Sequence, residues 1–133
     1  MSEARAGLRA LVVDDDPLMA GLLATVLARR GYQVEACEDG AEALERVRDA
    51  GFDLVITDRV MPGLDGLALS RAIRALPGGE RVYCILLTAS DESVAAAAAA
   101  QAGVDDFIAK PLDVRALGAR LDVAERALLA RRA

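Results

Sequence analysis

Apolar residues along the chain fall into short unbroken runs that are separated by longer segments of mixed character. The runs at 8–13, 32–37, 52–57, 82–87 and 107–109 are bounded by polar or turn residues, which is typical of buried strands. In the segments between them, apolar residues recur every three or four positions, which is typical of helices. The pattern therefore predicts five strands that alternate with helices.

Capping residues set the bounds of the predicted helices. Asp16 is suited to cap the first helix, with Pro17 at its first position, and Gly31 is expected to end it. Asp65 is suited to cap the helix at 66–76 in the same way. Further helices are predicted at 41–50, 91–102 and 114–132. In the first helix, two apolar stripes are expected to face the core: Leu18, Leu22 and Val26, and beside them Met19, Leu23 and Leu27.

The predicted strands lack a clean alternation of apolar and polar residues. Such runs are expected of parallel strands that helices cover on both faces. The sequence therefore predicts a doubly wound α/β fold with a five-stranded parallel sheet. In sheets of this kind, ligands bind beyond the carboxyl ends of the strands.

Polar residues with useful chemistry stand at four of these strand ends. Asp14 and Asp15 follow the first strand, Asp58 ends the third, Thr88 ends the fourth and Lys110 follows the fifth. Lys110 is the one lysine among sixteen basic residues. The topology is expected to bring three carboxylates, a hydroxyl and an ammonium group to one rim of the sheet.

Three neighbouring carboxylates repel one another unless a cation or protons relieve the repulsion. Mg²⁺, a hard ion that prefers oxygen ligands, suits such a pocket. A hydroxyl and an ammonium group suit phosphoryl oxygens, and a carboxylate can itself act as the nucleophile that forms an acyl phosphate. Each residue alone also has a purely structural interpretation, as a cap, a solvated turn or a surface residue.

Composition restricts the function classes. A length of 133 residues fits one domain. The net charge of −5 argues against direct nucleic-acid binding, and no apolar run approaches the roughly 20 residues of a membrane span. The first residues lack the plan of a signal peptide, so a cytoplasmic location is expected. Cys37 and Cys84 are expected to be free, buried thiols. The absence of histidine excludes a phosphohistidine on the chain itself.

Four motifs together resemble a known family. VVDDDP, DLVITDRVMPGLDG, LLTAS and FIAKP, in that order, resemble the receiver domain of bacterial two-component response regulators, including the chemotaxis regulators. The resemblance covers residues 8–120 and leaves an N-terminal tail at 1–7 and a C-terminal extension at 121–133. It implies a flavodoxin-like fold with strand order 2-1-3-4-5.

The resemblance also implies a phosphorylation site and a metal site. Asp58 matches the phosphoacceptor, which becomes a 4-aspartylphosphate. Asp14 and Asp15 match the residues that hold Mg²⁺, with Asp15 as the expected direct ligand. Asp58 and the backbone carbonyl of Val60 are expected to complete the protein ligands.

Four further residues acquire roles by the same resemblance. Thr88 matches the switch hydroxyl that moves to the phosphoryl group, and Phe107 matches the aromatic switch. Lys110 matches the residue that pairs with a phosphoryl oxygen. Pro111 matches the proline that follows this lysine and holds the lysine's loop through a cis peptide bond.

The family implies a signalling switch that catalyses only its own phosphotransfer and dephosphorylation. The expected phosphodonor is a partner histidine kinase or a histidine phosphotransfer protein. Phosphorylation is expected to shift a surface formed by the fourth predicted helix, the fifth strand and the fifth helix, and so to act on a downstream protein or output domain. The chain is expected either to stand alone or to be the receiver of a larger regulator, such as a diguanylate cyclase or a hybrid kinase.

The last predicted helix is longer than a receiver needs. Leu117, Leu121, Ala124 and Leu128 follow the 4-3-4 spacing of a coiled-coil seam. Homodimerisation through this helix, a linker to a further domain and an ordinary amphipathic helix all fit that spacing.

Two other function classes fit parts of the pattern. An Mg²⁺-dependent phosphohydrolase with an aspartyl-phosphate intermediate is the main alternative. Haloacid-dehalogenase-like enzymes, which use that chemistry, carry a second acid two residues after the nucleophile, where this chain has Val60. A flavodoxin-like flavin binder is the other, but acids replace the glycine-rich phosphate loop after the first strand.

Overall fold

The computed structural model of the protein describes residues 7–88 and 102–132. Its five strands form one parallel sheet in the order β2-β1-β3-β4-β5, which confirms the predicted flavodoxin-like topology. The strands are β1 (Arg9–Val13), β2 (Gln33–Cys37), β3 (Leu54–Asp58), β4 (Tyr83–Thr88) and β5 (Asp106–Ala109). The helices are α1 (Pro17–Arg29), α2 (Gly40–Ala50), α3 (Gly66–Arg74) and the C-terminal helix α4 (Val114–Arg132), and a 3₁₀ turn spans Gly79–Arg81.

The predicted alanine-rich helix falls almost entirely outside the described residues. Its last predicted residue, Ala102, is helical and buried, and Gly103 has a φ of +78°. A positive φ after the last helical residue is a usual way for a helix to end, so the predicted end of this helix agrees with the structure.

An aspartate caps each of the first three helices. Asp16 accepts a hydrogen bond from the Leu18 N–H at 3.0 Å, and Asp65 accepts one from the Ala68 N–H at 2.8 Å, as predicted. Asp39 caps α2 through the Glu42 N–H at 2.8 Å. Each bond satisfies a backbone donor that the first helical turn leaves without a partner.

The sheet has an apolar layer on each face. Alternate residues of β1 serve the two layers, with Ala10 and Val12 in one and Leu11 and Val13 in the other. The first layer receives Leu23 and Leu27 of α1 and the apolar residues of α4. The second receives Ala43 and Val47 of α2 and Leu69 and Ile73 of α3. Coverage on both faces explains why the strands read as unbroken apolar runs.

The prediction for one stripe of α1 was wrong at Leu18 and Leu22 but correct at Val26, which packs against the first layer. Leu23 and Leu27 are fully buried, but Leu18 is 84% exposed and Leu22 is 40% exposed. The two predicted stripes together are wider than the surface that one face of the sheet offers to a single helix. The stripe of Leu23 and Leu27 occupies that surface, and the flanking leucines remain in solvent.

The four residues of the proposed coiled-coil seam belong to the core of this chain. Leu117, Leu121 and Ala124 are fully buried and Leu128 is 3% exposed, all within the layer shared with α1. Residues 121–128 therefore pack against the sheet together with the earlier part of α4. Because these side chains already cover the sheet, they do not form an exposed seam for homodimerisation.

A buried ionic network fixes α4 to the end of α1. Glu125, which is 5% exposed, accepts hydrogen bonds from Arg30 Nε at 3.0 Å and Nη2 at 2.8 Å. Tyr32 donates its hydroxyl to the same carboxylate at 2.8 Å. Arg30 also pairs with Asp122. The carboxylate raises the pKa of Arg30 above its usual value, so the guanidinium group stays protonated at any physiological pH.

Two further predictions concern the cysteines and the membrane. Cys37 and Cys84 are free and buried, as predicted. Among the described residues, no helix combines the length and the apolar character that a membrane span requires.

Candidate phosphorylation and metal site

The predicted strand-end residues meet at one rim of the sheet. Asp14 follows β1, Asp58 ends β3, Thr88 ends β4 and Lys110 follows β5. The register places Asp58 beside Leu87, one residue before Thr88, and places Thr88 beside Ala109, one residue before Lys110. Parallel pairing therefore brings these residues together from positions that are far apart in the sequence.

The carboxylates of Asp14, Asp15 and Asp58 form one cluster. One oxygen from each residue lies within 4.8 Å of the others, and no other such group occurs within residues 7–88 and 102–132. Asp14 is 1% exposed, Asp58 is partly buried and Asp15 is exposed to solvent. Asp16 instead caps α1. The cluster thus contains the two acids that were predicted to hold a cation and the predicted phosphoacceptor.

Asp14 is the least satisfied of the three acids. Its Oδ1 accepts a hydrogen bond from the Asp16 N–H at 2.9 Å. Its Oδ2 is buried and accepts no hydrogen bond from any residue that the structure describes. Burial raises the pKa of Asp14 above its usual value, and the charges of Asp58 and Asp15 add to that rise, while the Asp16 N–H and Lys110 lower it. A buried carboxylate oxygen that accepts no hydrogen bond carries a cost in free energy.

Lys110 supplies the nearest positive charge. Its Nζ lies 3.3 Å from Asp58 Oδ1 and 3.9 Å from Asp14 Oδ2. The Lys110 N–H donates to the Thr88 carbonyl at 2.7 Å, which continues the β4–β5 pairing to the edge of the site. The Lys110–Pro111 peptide bond is cis, as expected from the resemblance. One ammonium group leaves the three acids with an excess of negative charge.

The loop between β3 and α3 is tied to the site by backbone hydrogen bonds. The Arg59 N–H donates to Leu87 O at 2.8 Å, and the Arg59 carbonyl accepts from the Gly66 N–H at 3.0 Å. Met61 is buried in the second apolar layer, whereas the Val60 side chain is 74% exposed. An exposed side chain fits the prediction that Val60 contributes through its backbone carbonyl.

The two predicted switch residues lie on neighbouring strands. Thr88 is 1% exposed. Phe107 is partly buried, and with Ile108, Ala109 and the first turn of α4 it lines a cavity of about 270 Å³. This cavity is open to solvent and leaves free space beside the Phe107 ring.

Asp105 and Asp106, at the start of β5, form ion pairs with arginines elsewhere in the chain. Arg120 lies 3.5 Å from Asp106. Asp105 accepts hydrogen bonds from Arg74 at 2.7 Å and from the Cys84 N–H at 2.8 Å, and Arg131 lies 3.7 Å from it. Sequence reasoning missed these internal pairs because the partners are far apart in the sequence.

Sequence reasoning also missed two glycines near the site that have no room for a side chain. A Cβ on Gly66 would lie 2.3 Å from the Asp58 carbonyl oxygen, and one on Gly40 would lie 2.2 Å from the Leu64 carbonyl oxygen. The available signal was the dipeptide Asp-Gly at the start of two helices, which predicts a cap but does not reveal what approaches the glycine.

The donor set fits a hard divalent cation. Three carboxylates, one of them with a buried oxygen that accepts no hydrogen bond, offer the charge and the ligand type that Mg²⁺ prefers. Asp14, Asp15 and Asp58 would hold such an ion. The neighbouring ammonium group of Lys110 then remains available to a second anion.

Comparisons with known proteins agree with this arrangement. A family model described as the response regulator receiver domain matches residues 10–122. The DNA-binding response regulator MtrA of Mycolicibacterium smegmatis is 38% identical over 113 residues, which are 85% of this chain and 48% of that protein. The chain thus spans about half the length of the curated relatives it matches.

Solved structures give the same result. The chemotaxis protein CheY4 of Vibrio cholerae superposes with a TM-score of 0.84 at 27% identity, over 90% of this chain and 99% of that one. The receiver domain of the sensor histidine kinase PA1611 of Pseudomonas aeruginosa superposes with a TM-score of 0.80 at 32% identity, over 90% and 98%. The latter structure has a magnesium ion coordinated in its active-site cleft.

Proposed function

This chain belongs to the receiver-domain family of two-component response regulators, and from that premise we propose that it is a phosphorylation-dependent switch with Asp58 as its phosphoacceptor. Receivers are phosphoacceptor modules rather than enzymes that turn over a separate substrate. The phosphodonor is a histidine of a partner kinase or of a phosphotransfer protein. The chain itself contains no histidine, so the donor histidine lies outside these 133 residues.

One observation carries the proposal: Asp58 lies in a cluster with two other acids and 3.3 Å from the chain's single lysine. In the proposed reaction, an Asp58 carboxylate oxygen attacks the phosphorus of the phosphohistidine. The P–N bond breaks, its electron pair stays on the imidazole, which is then protonated by solvent, and an acyl phosphate remains on Asp58. Lys110 is within reach of the incoming phosphoryl oxygens.

The acid cluster is proposed to hold Mg²⁺ through Asp14, Asp15, Asp58 and the Val60 carbonyl. When bound, the ion supplies positive charge against the acids and the transferring phosphoryl group. The buried Asp14 oxygen without a hydrogen bond supports this assignment, and the ion seen in the PA1611 receiver is consistent with it.

The response to phosphorylation is proposed to run through Thr88 and Phe107. Thr88 moves to the phosphoryl group, Phe107 moves inward, and a pre-existing equilibrium between two states shifts. The cavity beside Phe107 supports such a movement. The surface that changes comprises the predicted helix at 91–102, β5 and α4, and a downstream protein or output domain reads it.

The similar proteins carry names from different signalling systems, and the chain spans about half the length of the curated ones. MtrA is named as a DNA-binding regulator, CheY4 as a chemotaxis protein and PA1611 as a sensor kinase. We propose that this domain acts through protein contacts in the cytoplasm and does not itself contact nucleic acid, which its net charge of −5 supports. The phosphohydrolase alternative gains no support, because the exposed Val60 stands where a second acid is needed.

Intact-mass measurement after incubation with acetyl phosphate and Mg²⁺ tests the proposal. We expect one phosphoryl adduct on the parent chain, none after EDTA treatment and none on Asp58→Asn. Asp53→Asn, which changes an acid at the opposite end of β3, is the matched control and should be labelled like the parent. An adduct that persists on Asp58→Asn would overturn the site assignment. Steady release of phosphate from a generic phosphate ester, in large excess over protein, would favour the enzyme.

A further inference from the structure

The glycines at the start of α2 and α3 share a local sequence and a local environment. Each follows an aspartate that caps its helix, in Asp39-Gly40 and Asp65-Gly66. Both glycines are buried, and neither has a positive φ. Backbone conformation therefore does not require glycine at these two positions. The atoms that surround each glycine must explain why no side chain is present.

The space around Gly66 explains its lack of a side chain. A Cβ there would lie 2.3 Å from the Asp58 carbonyl oxygen and 3.0 Å from Arg59 Cα. It would also lie 2.7 Å from a methyl group of Leu86. The first two obstacles are backbone atoms of the phosphoacceptor and its neighbour. A side chain at residue 66 would have to displace them, because they cannot rotate away.

Gly40 faces the other end of the same loop. A Cβ there would lie 2.2 Å from the carbonyl oxygen of Leu64 and 3.0 Å from its Cβ. The segment 58–64 is thus held between the first residues of two helices. It comprises the phosphoacceptor, the predicted metal ligand Val60 and the loop that joins them to α3.

Hydrogen bonds transmit any displacement of this segment to the site. Arg59 is fixed on both sides, by its N–H to Leu87 O at 2.8 Å and by its carbonyl to the Gly66 N–H at 3.0 Å. The first turn of α3 is held in turn by Asp65 and by the Ser70 hydroxyl, which donates to Gly66 O at 2.9 Å. A shift at residue 66 therefore moves Arg59, and with it the adjoining Asp58.

We infer that Gly40 and Gly66 are positioning residues of the phosphorylation site. Because they have no side chains, the first turns of α2 and α3 can lie against the backbone of residues 58–64. That contact sets the positions of the Asp58 carboxylate and the Val60 carbonyl. The inference rests on the proposed function in that it assigns a role to the geometry of that site. It concerns metal affinity as well as phosphotransfer, because both depend on the same segment.

The test compares Gly66→Ala and Gly40→Ala with the matched control Gly21→Ala. Gly21 lies in α1, where an added Cβ meets no atom within 4 Å. For each protein, Mg²⁺ affinity is measured by titration calorimetry on folded samples, and the rate of labelling by acetyl phosphate is measured at saturating Mg²⁺. Calorimetry reports on the metal site without requiring any phosphorylation.

Both site variants are expected to bind Mg²⁺ about tenfold more weakly than the parent, as is usual when support behind a metal ligand is lost. Their maximal labelling rate should fall by about 10- to 100-fold, the size of effect expected from a displacement of about 1 Å at a reacting group. Gly21→Ala should match the parent in both. A purely structural role would lower thermal stability but leave the Mg²⁺ affinity of the folded protein unchanged.

Folded site variants whose Mg²⁺ affinity and labelling rate match those of Gly21→Ala would overturn the inference. If Gly66→Ala does not fold, Gly40→Ala decides alone, since its added Cβ meets the Leu64 carbonyl oxygen at the other end of the same segment. If the parent binds Mg²⁺ but accepts no phosphoryl group, the proposed function fails, while the affinities still decide the role of the glycines.

Discussion

Two buried carboxylates on opposite sides of the molecule differ in how fully the protein supplies them with hydrogen bonds. Glu125 on α4 accepts two hydrogen bonds from Arg30 and one from the Tyr32 hydroxyl. Asp14 beside β1 accepts one backbone hydrogen bond, and its second oxygen accepts none among the described residues. Two further acids adjoin Asp14, and Lys110 Nζ lies 3.9 Å from its second oxygen. The guanidinium group of Arg30, by contrast, lies 2.8 Å from Glu125.

The difference distinguishes an acid that holds the fold together from an acid that we propose binds a cation. A buried carboxylate that the protein satisfies completely contributes to holding the fold together, and removal of its partner leaves a costly buried charge. A buried carboxylate that the protein leaves incomplete gains its missing partner from outside. Burial alone therefore does not identify a site, but burial combined with an unsatisfied oxygen and neighbouring like charges does.

Replacement of Arg30 by methionine should produce the largest loss of stability. It leaves the Glu125 carboxylate buried without its cationic partner, which typically costs about 3–5 kcal/mol in the free energy of unfolding. Urea denaturation measures the change. Arg29→Met, at an exposed neighbouring position of α1, should change stability by less than about 0.5 kcal/mol, and equal losses in the two variants would contradict the structural role of Glu125.

Tyr32→Phe should have an intermediate effect. The substitution keeps the ring in the core and removes the hydroxyl that donates to Glu125 at 2.8 Å. A hydrogen bond to a charged group contributes about 1.5–3 kcal/mol. Denaturation in the parent background should show that loss, and in the Arg30→Met background the two losses should fail to add, since both groups serve one carboxylate. Strict additivity would speak against a shared network.

Addition of Mg²⁺ should stabilise the parent chain by a smaller amount. A ligand that binds only the folded state adds about 1.4 kcal/mol when its free concentration is ten times its dissociation constant. Thermal unfolding with increasing Mg²⁺ measures this gain, and EDTA should remove it. The Arg30→Met variant should gain as much as the parent while it remains folded, because its altered network is remote from the acid cluster. A gain confined to the parent would contradict the separation of the two regions.

The cysteine thiols of the folded chain should react slowly with alkylating reagents. Their titration should leave the free energy of unfolding unchanged near neutral pH. Burial is the main cause that raises the pKa of Cys37 and of Cys84 from the ordinary value of 9.0 to about 11. The raised pKa favours the folded state fully below about pH 9, and the benefit is lost as pH rises towards 11. Alkylation by iodoacetamide at pH 8, followed by mass spectrometry, should show little modification until urea unfolds the chain. Rapid labelling of the native protein would contradict the buried positions.

The sequence was sufficient to predict the acid cluster but not the Glu125 network. Asp14, Asp58, Thr88 and Lys110 each stand at a strand end, and a parallel sheet brings such ends together whatever their separation in the chain. No comparable rule relates Glu125 to Arg30, which lies 95 positions earlier. Glu125 has the same sequence context as any exposed helical glutamate, so its burial becomes visible only in the folded chain.

The same reasoning explains the other differences between sequence and structure. The spacing of Leu18 and Leu22 is that of a core stripe, but the width of the sheet decides which of two adjacent stripes is covered. The spacing of Leu121 and Leu128 fits a coiled coil and the protein's own core equally well. Periodicity shows that a face is apolar, and only the tertiary arrangement shows what covers it.

The most direct test of this account applies the same chemical change, carboxylate to amide, to both buried acids. In metal-free buffer, Asp14→Asn should raise the free energy of unfolding by about 1 kcal/mol, since it removes like-charge repulsion, and should weaken Mg²⁺ binding at least tenfold. Glu125→Gln should lower the free energy of unfolding by about 3 kcal/mol and leave Mg²⁺ affinity unchanged. If Asp14→Asn instead destabilises the chain and binds Mg²⁺ like the parent, the unsatisfied carboxylate is not a cation site and the account is contradicted.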